Sequence, residues 1–232
     1  MIYKILATGS DGNCVIINDT LMIDCGVPYK TVEPHLGALN IVLLTHLHGD
    51  HFNPATIRRM AYDKPSLRFG CCEWMVCALI AAGVKKTQID VFDLDKWGTY
   101  NLTMRPWISP FKLTHNADNC GWRVWIETGG PSEYERLIYA TDTGTLDGIE
   151  AKGYDLYMIE ANHIRAELEA RLAEKEANGE YAYERRAAEN HLSMEQAMDW
   201  LADNMRPWGV WIPMHGHKDK EAIMCQESAI TG

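Results

Sequence analysis

Ile41-Val42-Leu43-Leu44-Thr45-His46-Leu47-His48-Gly49-Asp50-His51 runs from four apolar residues straight into three imidazoles and a carboxylate. The apolar run reads as a strand, and H-x-H-x-D-H then places four metal-competent side chains on one short loop. Ligands of these types at this density suit zinc or another first-row divalent ion. The competing reading is a polar surface loop with incidental histidines. The rest of the chain decides between them by supplying, or failing to supply, further ligands.

The chain has 232 residues, 47% of them hydrophobic, enough for one large domain or two small ones with a sizeable core. No apolar run approaches the ~18 residues of a membrane helix. Met1 to Ala7 is too short for a signal peptide and runs into a turn, so a cytoplasmic location is the expectation. The seven cysteines follow no regular framework and are expected to be reduced and mostly buried. Cys120, close to His115, is also a candidate for the site. A net charge of −10 argues against a broad footprint on long duplex nucleic acid. It leaves room for a small or single-stranded phosphodiester, because a dinuclear metal centre brings its own positive charge.

The first half reads as short strands and turns. Ile2 to Ala7, Cys14 to Ile17 and Leu21 to Cys25 are apolar, and Gly9 to Asn13 is a turn cluster, most simply a hairpin. Asp24 ends a buried strand, where it either caps the next turn or orients a group in the site. Asn53-Pro54 predicts a helix over Ala55 to Tyr62. Leu67 to Gly70 predicts a strand, and Glu73 to Ala82 a buried helix stopped by Gly83. Tyr100 to Met104, Trp107 to Leu113, Trp122 to Ile126, Arg136 to Tyr139 and Asp155 to Glu160 read as strands. Arg165 to Asn190 reads as two charged helices broken at Asn178-Gly179, most simply a solvated face, more sharply a lid or a homodimer surface. Ser193 and Gln196 form a capping box for a helix to about Asn204. Trp208 to Pro213 is the last strand. Two β-rich halves flanked by helices predict a four-layer αββα sandwich, one domain over residues 1–232.

More chemistry-bearing residues follow strands in the same way. His115 follows Phe111 to Thr114, Asp142 follows Leu137 to Thr141, His163 comes after Leu156 to Glu160, and His215 follows Val210 to Met214. Strand ends on one sheet edge converge, which is where α/β sites are commonly built.

These pieces resemble the metallo-β-lactamase-fold hydrolases, and more narrowly the YycJ/WalJ-type nucleases and RNase Z. The matching elements are Gly9-Ser10-Asp11-Gly12-Asn13, Ile23-Asp24-Cys25-Gly26, Thr45 to His51, Thr114-His115, Thr141-Asp142-Thr143-Gly144, Glu160-Ala161-Asn162-His163 and His191-Leu192-Ser193. The resemblance implies two divalent ions, zinc or else manganese. His46, His48 and His115 would hold the first, Asp50, His51 and His215 the second, and Asp142 would bridge them. Asp24 would orient a ligand. Asp50 and His163 are the catalytic candidates, His163 as general acid or else as a structural helix cap. His191 and Ser193 would contact substrate phosphate, with Ser193 also explained as a cap.

The implied activity is phosphodiester hydrolysis, by a nuclease acting on RNA or DNA strands or ends. The alternatives are a cyclic-nucleotide phosphodiesterase of the kind phages use against defence signals, and a thioester or lactam hydrolase of the same fold. A binding protein that kept the metal site is a further reading. The chain departs from the family in Met214-His215-Gly216-His217, where His217 competes with His215, and in Ile164, where an acid is usual. Trp74, Trp200, Trp208 and Trp211 are expected in the core, and Trp107, Trp122 and Trp125 near His115, lining a pocket.

Overall fold

A computed structural model describes residues 1–99, 106–129, 134–181 and 184–216. The strand expected over Tyr100 to Met104 and the competing ligand His217 lie outside the described residues. Among the described residues, twelve strands form two six-stranded sheets.

In the first sheet, β1 (Tyr3–Ala7), β2 (Cys14–Ile17) and β3 (Leu21–Ile23) form an antiparallel meander. Then β4 (Ile41–Leu43), β5 (Arg68–Cys71) and β6 (Ile89–Val91) add in parallel. The parallel steps need crossovers. These are α1 (Tyr29–Leu36), α2 (Pro54–Asp63) and α3 (Val76–Ala81), the last preceded by a 3₁₀ turn. The second sheet repeats the plan. β7 (Gly98–Thr99), β8 (Trp107–Leu113), β9 (Asn119–Glu127) and β10 (Tyr134–Ala140) are antiparallel. β11 (Leu156–Glu160) and β12 (Val210–Met214) are parallel to β10.

Period-two alternation sorts the side chains into three apolar layers. Val15, Ile17, Leu21, Ile23, Ile41 and Leu43 meet Trp122, Val124, Leu137, Tyr139 and Met158 between the sheets. Cys14, Ile16, Met22, Val42 and Leu44 face α1, α2 and α3 instead. Ile138, Ala140, Tyr157 and Ile159 pack with Ala197 and Leu201 of α6 (Met194–Asn204). The expected αββα sandwich is thus present, with helices outside both sheets.

The local signals behave as their chemistry dictates. Asn53 caps α2 by accepting from Thr56 N, with Pro54 at the first position. Ser193 and Gln196 close the capping box on α6. The charged stretch forms α4 (Arg165–Asn178), ended by Gly179 at φ 68°, and α5 (Glu184–Asn190). Lys175 and Glu184 join the two helices at 2.7 Å, while α4 buries only Leu168, so most of this hairpin is solvated. Helix α1 has no counterpart among the sequence expectations. Pro34 sits inside it, which ordinarily argues against a helix, but buried Val32 and Leu36 anchor one face. The described cysteines are free, all buried except Cys77. No helix among the described residues is long and apolar enough to cross a membrane.

Candidate metal centre

Both sheets end at the same place. Asp24 follows β3, His46 to His51 follow β4, His115 follows β8, Asp142 follows β10, Glu160 ends β11 and His215 follows β12. Asp24, Asp142 and His215 have φ of 59°, 56° and 54°. Non-glycine residues rarely adopt this left-handed conformation, and its clustering at one point marks a functional site.

The histidine loop is held from below. A Cβ on Gly26 would overlap the Asp50 carbonyl, so only glycine permits this approach. Cys25 N donates to His51 O at 2.9 Å, and Asn53 N to Cys25 O at 2.8 Å. The Gly9 to Asn13 turn does connect β1 and β2, but it is more than a hairpin. Asn13 N donates to Asp50 O at 2.6 Å, so the turn also braces the loop.

The expected ligands come together in two groups, each with its ligand atoms within 4.8 Å of one another. The first is His46, His48 and His115. The second is Asp50, His51, Asp142 and His215. In the first, His115 Nε2 lies 3.2 Å from His48 Nδ1. His115 Nδ1 faces the Asn190 carbonyl at 3.3 Å, which fixes its proton there and leaves Nε2 as the lone pair. In the second, His51 Nε2 is 2.7 Å from Asp142 Oδ2, and His215 Nε2 is 3.2 Å from Asp50 Oδ2. The two groups abut, with the His46 and His51 rings 4.2 Å apart. Asp142 belongs to the second group and not to the first.

Asp24 orients rather than ligates. Its Oδ1 accepts from Thr45 N and Thr45 Oγ1, both at 2.9 Å, and its Oδ2 lies 2.7 Å from His51 Nδ1. That commits the His51 Nδ1 proton and leaves Nε2 for a cation.

Glu160 does the same from the other sheet, and it was not among the sequence candidates. It is wholly buried, and its Oε1 lies 2.6 Å from His191 Nδ1 and 3.4 Å from His215 Nδ1. Its Oε2 accepts from Thr143 N and Leu192 N. A carboxylate ending the apolar run Leu156 to Ile159 was the available signal, the same one that marks Asp24. His191 also stacks on His215, with the rings 5.2 Å apart and 9° from parallel. A Cβ on Gly144 would overlap the Glu189 carbonyl, so this glycine lets the end of α5 bring His191 in.

His163 and Ser193 are placed differently. His163 is buried, its backbone bridges to Ser193, its carbonyl accepts from Met194 N, and its imidazole belongs to none of the clusters. Ser193 is fully buried, and its hydroxyl accepts from Gln196 N as the cap of α6. Cys120 lies beneath the loop, its thiol 3.5 Å from the Thr45 carbonyl, and also stays outside the clusters.

The electrostatics fit divalent cations. Burial and the neighbouring His51 hold His46 at a pKa of about 2, so this imidazole is neutral and ready to ligate. Its Nε2 is buried without a hydrogen-bond partner, an uncommon state that a cation would relieve. The second group is the opposite, a buried anionic pocket. Burial alone would lower His215, but Asp142, Asp50 and Glu160 push it up to about 10. His51 is likewise raised by Asp142 and Asp24 against its own burial. Carboxylates this insistent on a positive charge suit a metal ion.

The tryptophans depart from expectation. Trp122 is wholly buried between the sheets. Trp107 and Trp125 line a groove with Trp97 and Tyr134. Trp107 lies six residues before Leu113 on β8, so at ~3.3 Å per residue it is about 20 Å from the His115 end. Trp208 is exposed in the turn before β12, with Arg206 stacked over it, rather than in the core. Trp74, Trp200 and Trp211 do pack against the cores.

A two-sheet sandwich with histidines and aspartates massed at one strand-end edge defines a metal-dependent hydrolase. The chain belongs to the β-lactamase superfamily: residues 20–215 match the family described as β-lactamase superfamily domain. Among solved structures, human tRNase Z, short form, is 15% identical with a TM-score of 0.63, over 93% of this chain and 92% of that one. The metallo-β-lactamase fold protein YhfI from Bacillus subtilis is 17% identical with a TM-score of 0.65, over 92% and 85%. Zn²⁺-bound PqqB from Methylobacterium extorquens is 13% identical with a TM-score of 0.57, over 84% and 81%. At such identities the likeness is one of fold. Comparison with curated protein sequences gives no significant match.

Proposed function

We propose that this hydrolase is a dinuclear phosphodiesterase, a nuclease acting on RNA or DNA strands or ends. The observation that carries the reading is His191, which stands outside the two groups assigned to ions although it clusters with Asp142, Glu160 and His215 in a third metal-competent set, and which is hydrogen-bonded to buried Glu160. His46, His48 and His115 would hold one ion, Asp50, His51 and His215 the other, with Asp142 shared. Zinc or manganese ions held there would lower the pKa of a water and offset negative charge on a phosphoryl group. Asp50, the most exposed carboxylate of the set, positions the attacking water. His191 keeps its Nδ1 proton on Glu160 and so can carry a second proton on Nε2 for the leaving oxygen. In this assignment His191, and not His163, is the general acid. Likeness of fold to a tRNase Z supports the nucleic-acid substrate.

The test is incubation of the metal-loaded protein with single-stranded RNA, single-stranded DNA, bis(p-nitrophenyl) phosphate and cyclic mononucleotides. Absence of hydrolysis on all four sinks the proposal. The net charge of −10 favours one second reading, a cyclic-nucleotide phosphodiesterase. Turnover of cyclic mononucleotides without oligonucleotide cleavage would decide for it.

A further inference from the structure

Three buried asparagines each donate a side-chain hydrogen bond to the backbone carbonyl of a different residue in the second group. Asn13 Nδ2 reaches Asp50 O at 3.3 Å and also lies 2.8 Å from His51 Nε2 and 3.4 Å from Asp50 Oδ2. Asn119 Nδ2 reaches Asp142 O at 2.7 Å and Thr141 O at 3.0 Å. Asn162 Nδ2 reaches His215 O at 3.0 Å. We infer that Asn13, Asn119 and Asn162 are positioning residues for the second ion, one for each of the three strand-end loops that carry its ligands. The inference rests on the assignment of Asp50, His51, Asp142 and His215 to that ion.

The amide orientations are forced by chemistry. Each Nδ2 faces a carbonyl oxygen, which can only accept, so the NH₂ must point there. Asn13 is fixed twice over, because its Oδ1 accepts from Gly9 N at 3.0 Å while Nδ2 also lies 3.1 Å from Gly9 O. Two of the clamped residues, Asp142 and His215, are in the left-handed conformation that other residues avoid. Holding the carbonyl fixes the peptide plane, and with it the direction of the Cα–Cβ bond that carries the ligand. Without the amide, the chain is free to return to a commoner backbone state and swing the ligand away.

Rings in both groups are steered directly: His46 Nδ1 meets Thr45 Oγ1 at 3.0 Å and His115 Nδ1 the Asn190 carbonyl, while His51 and His215 meet Asp24 and Glu160. The three asparagine clamps on the backbone come in addition, and they fall on loops of the second group. Loss of an asparagine should therefore act on one ion and spare the other. A merely structural asparagine would loosen both.

The test uses the full chain with Asn119→Asp, which keeps the volume but replaces a donor by an acceptor facing two carbonyls, and Asn119→Ser, which removes the amide. The same pairs are made at positions 13 and 162. Each protein is loaded with Zn²⁺, dialysed and assayed for metal per chain, then titrated with Co²⁺ while its absorption bands are followed. Circular dichroism checks the fold. The wild type is expected to retain two ions. Each variant is expected to keep the first and to bind the second ~10–100-fold more weakly, the usual effect of losing an outer-shell partner. Variants that hold both ions at wild-type affinity overturn the inference. So do variants that stay folded and lose both ions together, or failure of all six to fold. A wild type that holds a single ion instead overturns the two-ion assignment, a different outcome from any of these.

Discussion

The two sheets contribute to the metal centre in opposite ways. The first delivers four groups from one loop, His46 to His51, built on a single strand end and braced by Gly26 and Asn13. The second delivers its groups one at a time, with His115, Asp142, Glu160 and His215 coming from four strand ends spread over a hundred residues. A compact loop can be read and can be lost as a unit. A dispersed set exists only when the sheet is correctly registered, so β8 to β12 serve as the alignment frame for the centre. The same contrast appears in the supports. Asp24 backs the first sheet's ligand His51, and Glu160 backs His191 and His215 of the second.

The largest effect should come from Asp142, the carboxylate proposed to be shared. Asp142→Ala is expected to drop turnover to the uncatalysed level and to remove bound metal, read by metal content and hydrolysis on the same sample. Retention of both ions would break the claim that the second sheet completes the site. Next comes His191→Ala, expected to cost ~10²–10⁴-fold in kcat as befits a lost proton donor. Its metal content should stay at the wild-type level. A larger loss of kcat in His163→Ala would hand the general-acid role back to His163. Asp24→Asn should weaken metal binding by ~10–100-fold through His51, measured by competition with a chelator. Smallest of all, Trp107→Ala should leave kcat/KM within about twofold, because distant groups seldom couple. A greater fall would show that substrate extends to the aromatic groove.

Much of this was legible in the chain itself. The H-x-H-x-D-H loop announces metal chemistry from spacing alone, and strand-end placement finds His115, Asp142 and His215. Caps at Asn53 and Ser193 are local and so were readable. What escaped notice depends on contacts far apart in sequence. Glu160 looked like part of a motif until its hydrogen bond to His191 gave it a role. Asn13 and Asn119 donate to carbonyls 37 and 23 positions away, and no local pattern encodes that. Trp107 was near His115 in number, but a strand is straight, and its other end is a different place. Helix α1 was hidden because tertiary burial of Val32 and Leu36 outweighs the local penalty of Pro34.

His215 N donates to Thr8 Oγ1 across 207 positions, and Gly9 packs beneath the Gly216 carbonyl. The first turn of the chain and the strand end after β12 therefore close on each other. During synthesis this has a temporal meaning. His51 and His215 are 164 positions apart, which at ~5–20 residues per second amounts to roughly 8–33 s of translation. Through that interval a nascent chain can offer Asp50 and His51 to solvent without His215 to finish the second position. Under the two-ion assignment, the second position is therefore completed late, and a product cut before His215 would carry the histidine loop yet be unable to complete that group.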